Sequence, residues 1–184
     1  CMDKDRAHRL IAAAGIPAPR AVTLTQSYDR ATVAAQAAEL GYPLFVKPVR
    51  AGSSFGVAKV RRPSDLFAAV DHAFFYDDHV MLEAQIPGFE VGCAVLGSDA
   101  PLTGVPDEIE LQGDLFDFQE KYHLTTSKIH IPARITPEQT AAVQETARRV
   151  YQILDYSGFA RVDLFLTPEG RIVFHEVNTI PGFT

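Results

Sequence analysis

The chain has 184 residues, 47% of them hydrophobic and 22% charged, with a net charge of -6; this excludes intrinsic disorder and argues against a nucleic-acid partner, whose phosphates want a basic surface. Only Cys1 and Cys93 are present, so no disulfide framework or CxxC metal motif exists and a reducing cytoplasm fits. No run approaches the roughly 20 apolar residues of a membrane span, no signal-like segment opens the chain, and its abrupt ends suggest part of a longer protein.

Asp3 is placed to cap a helix running to about Ala14, closed by Gly15 and followed by Pro17 and Pro19. Lys4 then lies in the first turn, where a cation opposes the helix dipole. Either an anionic ligand lies nearby or the lysine is solvated. A second helix is expected from Ser27 to Leu40, ended by Gly41. Leu44 to Val49, LFVKPV, reads as a buried strand, and Lys47 within it needs an anion because an unpaired buried ammonium is costly. The loop Arg50 to Gly56, before a strand at Val57 to Arg61, can bring backbone N–H groups and the Ser53 and Ser54 hydroxyls close to a phosphate. It can equally be a glycine-rich hairpin turn. It is no Walker A loop, since the lysine precedes the glycines and no helix follows.

Pro63 or Ser64 opens a helix to about Phe75, and HVMLEAQI, His79 to Ile86, gives a strand in which Glu83 faces away from Leu82. Pro87 and Gly88 break it, so Ile86 to Phe89 reads as a ligand hinge and as the boundary between subdomains 1–86 and 87–184. A strand continues from Glu90 to Gly97, with a partner around Leu102 to Pro106. Residues 107–135 carry Asp107, Glu108, Glu110, Asp114, Asp117 and Glu120 with little periodicity, the pattern of a functional lid or a disordered segment. Lys121 and Tyr122 can reach a site when such a lid closes, or merely offset its acids and anchor it. The last helix has Thr136 as its cap, Pro137 in its first turn and Gln139 at capping-box spacing; its apolar period runs through Val143, Ala147, Val150, Tyr151 and Leu154.

FARVDLFLTPEGRIVFHEVN, Phe159 to Asn178, reads as a β-hairpin turning at Pro168, Glu169 and Gly170. With Thr167 opposite Ile172, Asp163 falls opposite Glu176 and Arg161 opposite Asn178, and all four share one face. Two carboxylates and an amide oxygen suit Mg²⁺, with Arg161 beside them to stabilise negative charge. The alternative is a solvated face with cross-strand charge pairing, since the register is assumed. The same alternation sends His175 to the opposite face, as packing.

The strings MDK, VKP before AGSSFG, EAQIPGFE, EKY, GFARVDLF and HEVNTIPGFT together resemble the ATP-grasp ligases, and within them the D-alanine–D-alanine ligases. TSKIHIPARI and the Glu-Val-Asn form are most similar to the vancomycin-resistance type that uses D-serine or D-lactate. The resemblance covers essentially all 184 residues. It implies an α+β ATP-grasp fold: two subdomains, each an antiparallel sheet with helices, holding the nucleotide between them. It also implies ATP, two Mg²⁺ ions for which Mn²⁺ can substitute, and ligation of D-alanine to a second D-alanine or D-serine through an acyl phosphate, for peptidoglycan precursor synthesis. Neither nucleic acid nor membrane is an implied partner, the compartment is the cytoplasm, and the full-length protein is expected to be a homodimer. By position, Lys4 and Lys47 match phosphate-contacting lysines, Ser53 and Ser54 the loop over the nucleotide, Glu83 and the backbone near Ile86 the adenine-recognising hinge, and Glu90 the ribose contact. Lys121 and Tyr122 match the lid, the lysine near the terminal phosphate and the tyrosine in a hydrogen-bond set with Ser53. Asp163, Glu176 and Asn178 match the metal ligands; Arg161 and the Gly182 backbone match the oxyanion-stabilising groups.

Some positions depart from that pattern. Ala84 stands where many relatives have a lysine after the hinge glutamate, and His175 is unusual before Glu176. Tyr122, where lactate-using relatives tend to place histidine, favours an amino-acid acceptor, although His123 adjoins it. The family's N-terminal substrate domain and the segment after Thr184 are missing, so the chain alone is expected to bind nucleotide at best. Another ATP-grasp carboxylate–amine ligase and a non-catalytic nucleotide-binding module are the competing readings.

Overall fold

The computed structural model describes residues 3–111 and 127–181. Its first helix, α1 (Lys4–Ala13), begins where the Asp3 carboxylate accepts the Arg6 amide, and Gly15 leaves it at φ 78°. Strand β1 (Ala21–Thr25) leads to α2 (Arg30–Leu40), which starts three residues later than Ser27. Asp29 takes the cap instead, because its carboxylate accepts both the amide and the hydroxyl of Thr32, at 2.7 and 2.8 Å. Then follow β2 (Leu44–Pro48), β3 (Ala58–Val60), a 3₁₀ turn at Pro63–Asp65, α3 (Leu66–Phe74) and β4 (His79–Ala84). These strands form an antiparallel sheet in the order β1-β4-β2-β3, with α2 and α3 packed on it through Val33, Ala37, Leu66 and Val70.

After the turn at Gln85 to Gly88 come β5 (Phe89–Gly97), β6 (Leu102–Thr103), β7 (Asp107–Leu111), β8 (Ser127–His130), α4 (Pro137–Ile153), β9 (Gly158–Leu166) and β10 (Ile172–Asn178). The second sheet runs β10-β9-β5-β7-β8, with β6 beside β5. Its helix α4 has the expected capping box, Thr136 and Gln139 each satisfying the other's amide. Val143, Ala147, Val150 and Tyr151 bury the inner face of α4 against Val91, Cys93, Val162 and Leu164. The same core takes Ala7 and Ile11, so α1 comes first in the chain yet packs on the second sheet.

Two expectations need correction. Residues 107–135 are not structureless: β7 and β8 pair antiparallel, Glu108 opposite His130 and Ile109 opposite Ile129. The Glu108 carboxylate is buried and pairs with Arg134 at 2.6 Å, which gives the sheet edge an ion pair where sequence suggests free acids. Lys121 and Tyr122 lie outside the described residues. The hairpin register holds only in part. Glu176 faces Asp163 and Asn178 faces Arg161, as expected, but nearer the turn Ile172 faces Leu166, because a β-bulge intervenes at His175.

The turn between the sheets depends on Gly88, whose φ is 132° and whose added Cβ would run into the Leu166 carbonyl. Gly88→Ala is therefore expected to cost at least about 2 kcal/mol, since backbone strain in that region and a clash with main chain add together. Urea denaturation, with an unchanged slope and a lowered midpoint, checks it.

Candidate nucleotide and metal site

The two sheets enclose a cavity of about 460 Å³. Lys47, Glu83 and Phe45 line it from the first sheet, the loop Ala51 to Ser54 covers one side, and Ile86 lies in the connecting turn. Glu90, Arg161, Asp163, Glu176 and Asn178 face it from the second sheet. Lys4 completes the set, so every described residue singled out by sequence meets at one place. Gly182, like Lys121 and Tyr122, falls outside the described residues.

Lys47 finds its anion within the protein. Lys47 pairs with Met81 across β2 and β4, so Glu83, two residues on, shares its face as a diagonal neighbour. The ammonium lies 2.6 Å from Glu83 Oε1, with both side chains nearly inaccessible. His8 of α1 approaches the other carboxylate oxygen at 3.5 Å. Burial alone would raise the Glu83 pKa, but Lys47 and the two histidines His175 and His8 outweigh it and the carboxyl stays below its usual range. Burial also depresses the His8 pKa, against the opposing pull of Glu83.

Both shifts weaken the fold in acid. Below about pH 6.5, the ordinary histidine value, the unfolded chain takes up a proton that buried His8 refuses. Below about pH 4.5 the same holds for Glu83, whose contribution disappears as pH falls through its lower folded value. His8→Gln is expected to flatten the decline in urea midpoint between pH 6.5 and 5 relative to wild type, and to leave the lower phase in place.

Lys4 is also held internally. Its Nζ donates to the Ala51 carbonyl at 2.7 Å and approaches those of Pro48 and Val49 at 3.4 and 3.5 Å. The ammonium thus anchors the start of the Gly/Ser loop while remaining on the cavity wall. Within the loop Ser53 and Ser54 take φ of 51° and 57°, unusual for serine and a sign of an over-determined turn.

On the second sheet Arg161 donates to both oxygens of Asp163, at 2.6 and 2.8 Å, and Asn178 Nδ2 reaches Asp163 at 2.5 Å and Glu176 at 3.3 Å. Asp107 adds charge across Gly92, where a Cβ would meet its carboxylate. The Arg161 pKa is raised first by its bonds to Asp163, then by the nearby charges of Asp107 and Glu176. Three carboxylates around one guanidinium leave an anionic, oxygen-rich patch. That donor set fits a hard divalent cation such as Mg²⁺.

A family model described as D-ala D-ala ligase C-terminus matches residues 10–184. The chain belongs to the D-alanine–D-alanine ligase family. It is 44% identical to D-alanine–D-alanine ligase A of Chromobacterium violaceum, over the whole chain and 51% of that protein. With the vancomycin B-type resistance protein VanB of Enterococcus faecalis it shares 43% identity, covering 54% of that protein. Among solved structures, the VanG D-Ala:D-Ser ligase from Enterococcus faecalis superposes with a TM-score of 0.91 at 55% identity, over all of this chain and 54% of that one. The D-alanine–D-alanine ligase from Coxiella burnetii gives 0.86 at 33%, over all of this chain and 49% of that one. The fold of this ligase family is the ATP-grasp fold, and the chain spans about half the length of the curated relatives it matches.

Set in this ligase fold, His175 corrects the sequence reading: it lines the cavity, 3.7 Å from Glu90 and with its ring 4.6 Å from that of Phe165. The two-for-one count of a bulge puts His175 and Glu176 on the same side of β10. His8, Phe165, Asp107 and Glu108 were also missed as site neighbours. Phe165 alone had a usable signal, since it lies two residues from Asp163 and shares its face.

Proposed function

We propose that this chain is the ATP- and Mg²⁺-binding part of a cytoplasmic ligase that joins D-alanine to a second D-alanine or D-serine for peptidoglycan precursors. The observation that supports this is the convergence of Lys47, Arg161, Asp163, Glu176 and Asn178 on one cavity between the sheets of an ATP-grasp fold. The adenine sits against Ile86 and Phe45, and Glu90 takes the ribose. Lys47, Lys4 and the loop at Ser53 and Ser54 hold the phosphates, and Lys121 is assigned to the terminal phosphate. Asp163, Glu176 and Asn178 hold Mg²⁺, as two ions, or Mn²⁺ in its place; the metal supplies positive charge against phosphate oxygens.

The γ-phosphoryl passes to the D-alanine carboxylate, giving an acyl phosphate and ADP. The amine of the second amino acid attacks the acyl carbon, phosphate leaves and the amine proton is released. Arg161 and the Gly182 N–H stabilise the tetrahedral oxyanion. Tyr122 and Ser53 are assigned the exclusion of water that would hydrolyse the acyl phosphate. The 55% identity with a D-Ala:D-Ser ligase supports D-serine as a second substrate beside D-alanine.

The test gives the full-length protein ATP, Mg²⁺ and D-alanine, with D-serine and D-lactate in competition, and identifies products by mass spectrometry. D-Alanyl-D-serine or D-alanyl-D-alanine is the expected product. Nucleotide binding without phosphate release would sink the enzyme reading in favour of a binding module.

A further inference from the structure

Strand β10 contains one residue more than a regular ladder allows. Ile172, Val173 and Phe174 face Leu166, Phe165 and Leu164, whereas Glu176, Val177 and Asn178 face Asp163, Val162 and Arg161. Continued without the extra residue, the first register would set Glu176 opposite Val162, on the buried core side, and the cavity would lose a carboxylate. The bulge at His175 is therefore what brings Glu176 to Asp163.

A bulge takes backbone groups out of the regular ladder, where side chains can bond them. His8 reaches one of them from another element. Its Nε2 lies 3.3 Å from the His175 carbonyl oxygen, and its ring stands edge-on to Phe174 at 5.5 Å. The side chain is buried, which lowers its pKa, and its Nδ1 has no hydrogen-bond partner among the described residues. A carbonyl oxygen can only accept, so this contact requires the ring proton on Nε2; Glu83 Oε2, 3.5 Å away, makes no hydrogen bond to it.

We propose that His8 is a positioning residue for the divalent-metal site: its Nε2–H holds the His175 carbonyl, and with it the bulge that turns Glu176 toward Asp163. The proposal rests on the reading of Asp163, Glu176 and Asn178 as metal ligands. It adds a function for a helix that contributes no ligand to that set.

The experiment measures the affinity of the full-length protein for the non-hydrolysable analogue AMP-PNP by calorimetry, with and without Mg²⁺. Wild type is compared with His8→Gln and His8→Asn. Glutamine places an amide nitrogen at the depth of Nε2; asparagine stays polar but stops at the depth of Nδ1. His8→Gln is expected to keep the Mg²⁺-dependent gain in affinity, while His8→Asn loses about tenfold of it, the scale of outer-shell effects on metal sites. Metal-free affinity should be similar in both. An equal gain in the two variants overturns the proposal. A wild type whose affinity ignores Mg²⁺ overturns the metal reading itself, and the proposal with it. Nitrogen NMR of the His8 ring in wild type gives a second readout independent of how the variants fold: a proton on Nε2 is expected, and one on Nδ1 alone overturns the inference.

Discussion

Lys47→Met is expected to lower folding stability by about 3–5 kcal/mol near neutral pH and to abolish measurable nucleotide binding. The stability loss comes from Glu83, left buried and without the ammonium 2.6 Å away. Methionine fills the volume, so cavity formation adds little. The deficit should shrink as pH falls, because a proton taken up by the Glu83 and His8 pair then neutralises the stranded charge. Lys47→Met with Glu83→Gln separates the two effects. Removing both charges should recover most of the stability, as replacing a whole buried pair is often near neutral. Nucleotide affinity should stay lost, because the cation on the cavity wall is still gone. Urea midpoints across pH and calorimetry with AMP-PNP measure both; a double variant that regained affinity would remove Lys47 from the phosphate site.

How far the sequence could be read depended on the range of the interaction. Helix limits were legible where one side chain and the next few amides decide them, as at Asp3, Gly41 and Thr136. The Ser27 start failed for the same reason, since Asp29 is a second cap within two residues and bonds Thr32 twice. Facing of Asp163 and Glu176 was legible because alternation is local, but the register nearer the turn was not. Nothing in VFHEVN marks a bulge: it contains no glycine, and the deviation is stabilised from α1, far away in sequence. The demand of Lys47 for an anion was likewise legible, but its partner was not. Glu83 becomes a neighbour only once β4 lies between β1 and β2. Strand β7 escaped detection because buried Glu108 and its partner Arg134 look like lid charges until β8 pairs beside them.

Asp163→Asn should produce the other large effect, and its signature differs from that of Lys47→Met. The carboxylate is buried, accepts both Arg161 bonds and the Asn178 amide, and belongs to the proposed metal set. An amide can replace only one of the acceptors Arg161 uses, and it presents N–H to Asn178 Nδ2 or to the guanidinium. The fold should survive, because Arg161 is partly solvent-exposed and keeps Asp107 and Glu176 nearby. A stability loss of about 1–2 kcal/mol is expected from the broken bonds. The proposed ligation by the full-length protein should fall much further. Losing several kcal/mol of charge stabilisation at the transferring phosphoryl group corresponds to on the order of 10²-fold or more in kcat. Metal-free AMP-PNP affinity should hardly change or even rise, since one negative charge leaves the phosphate end of the cavity, whereas the gain on adding Mg²⁺ should largely vanish. A variant with normal Mg²⁺ dependence and reduced kcat would assign Asp163 to orienting Arg161, whereas loss of Mg²⁺ dependence would assign it to the metal. Glu176→Gln, which leaves the Arg161 fork to Asp163 intact, should share the Mg²⁺ defect with a smaller stability loss.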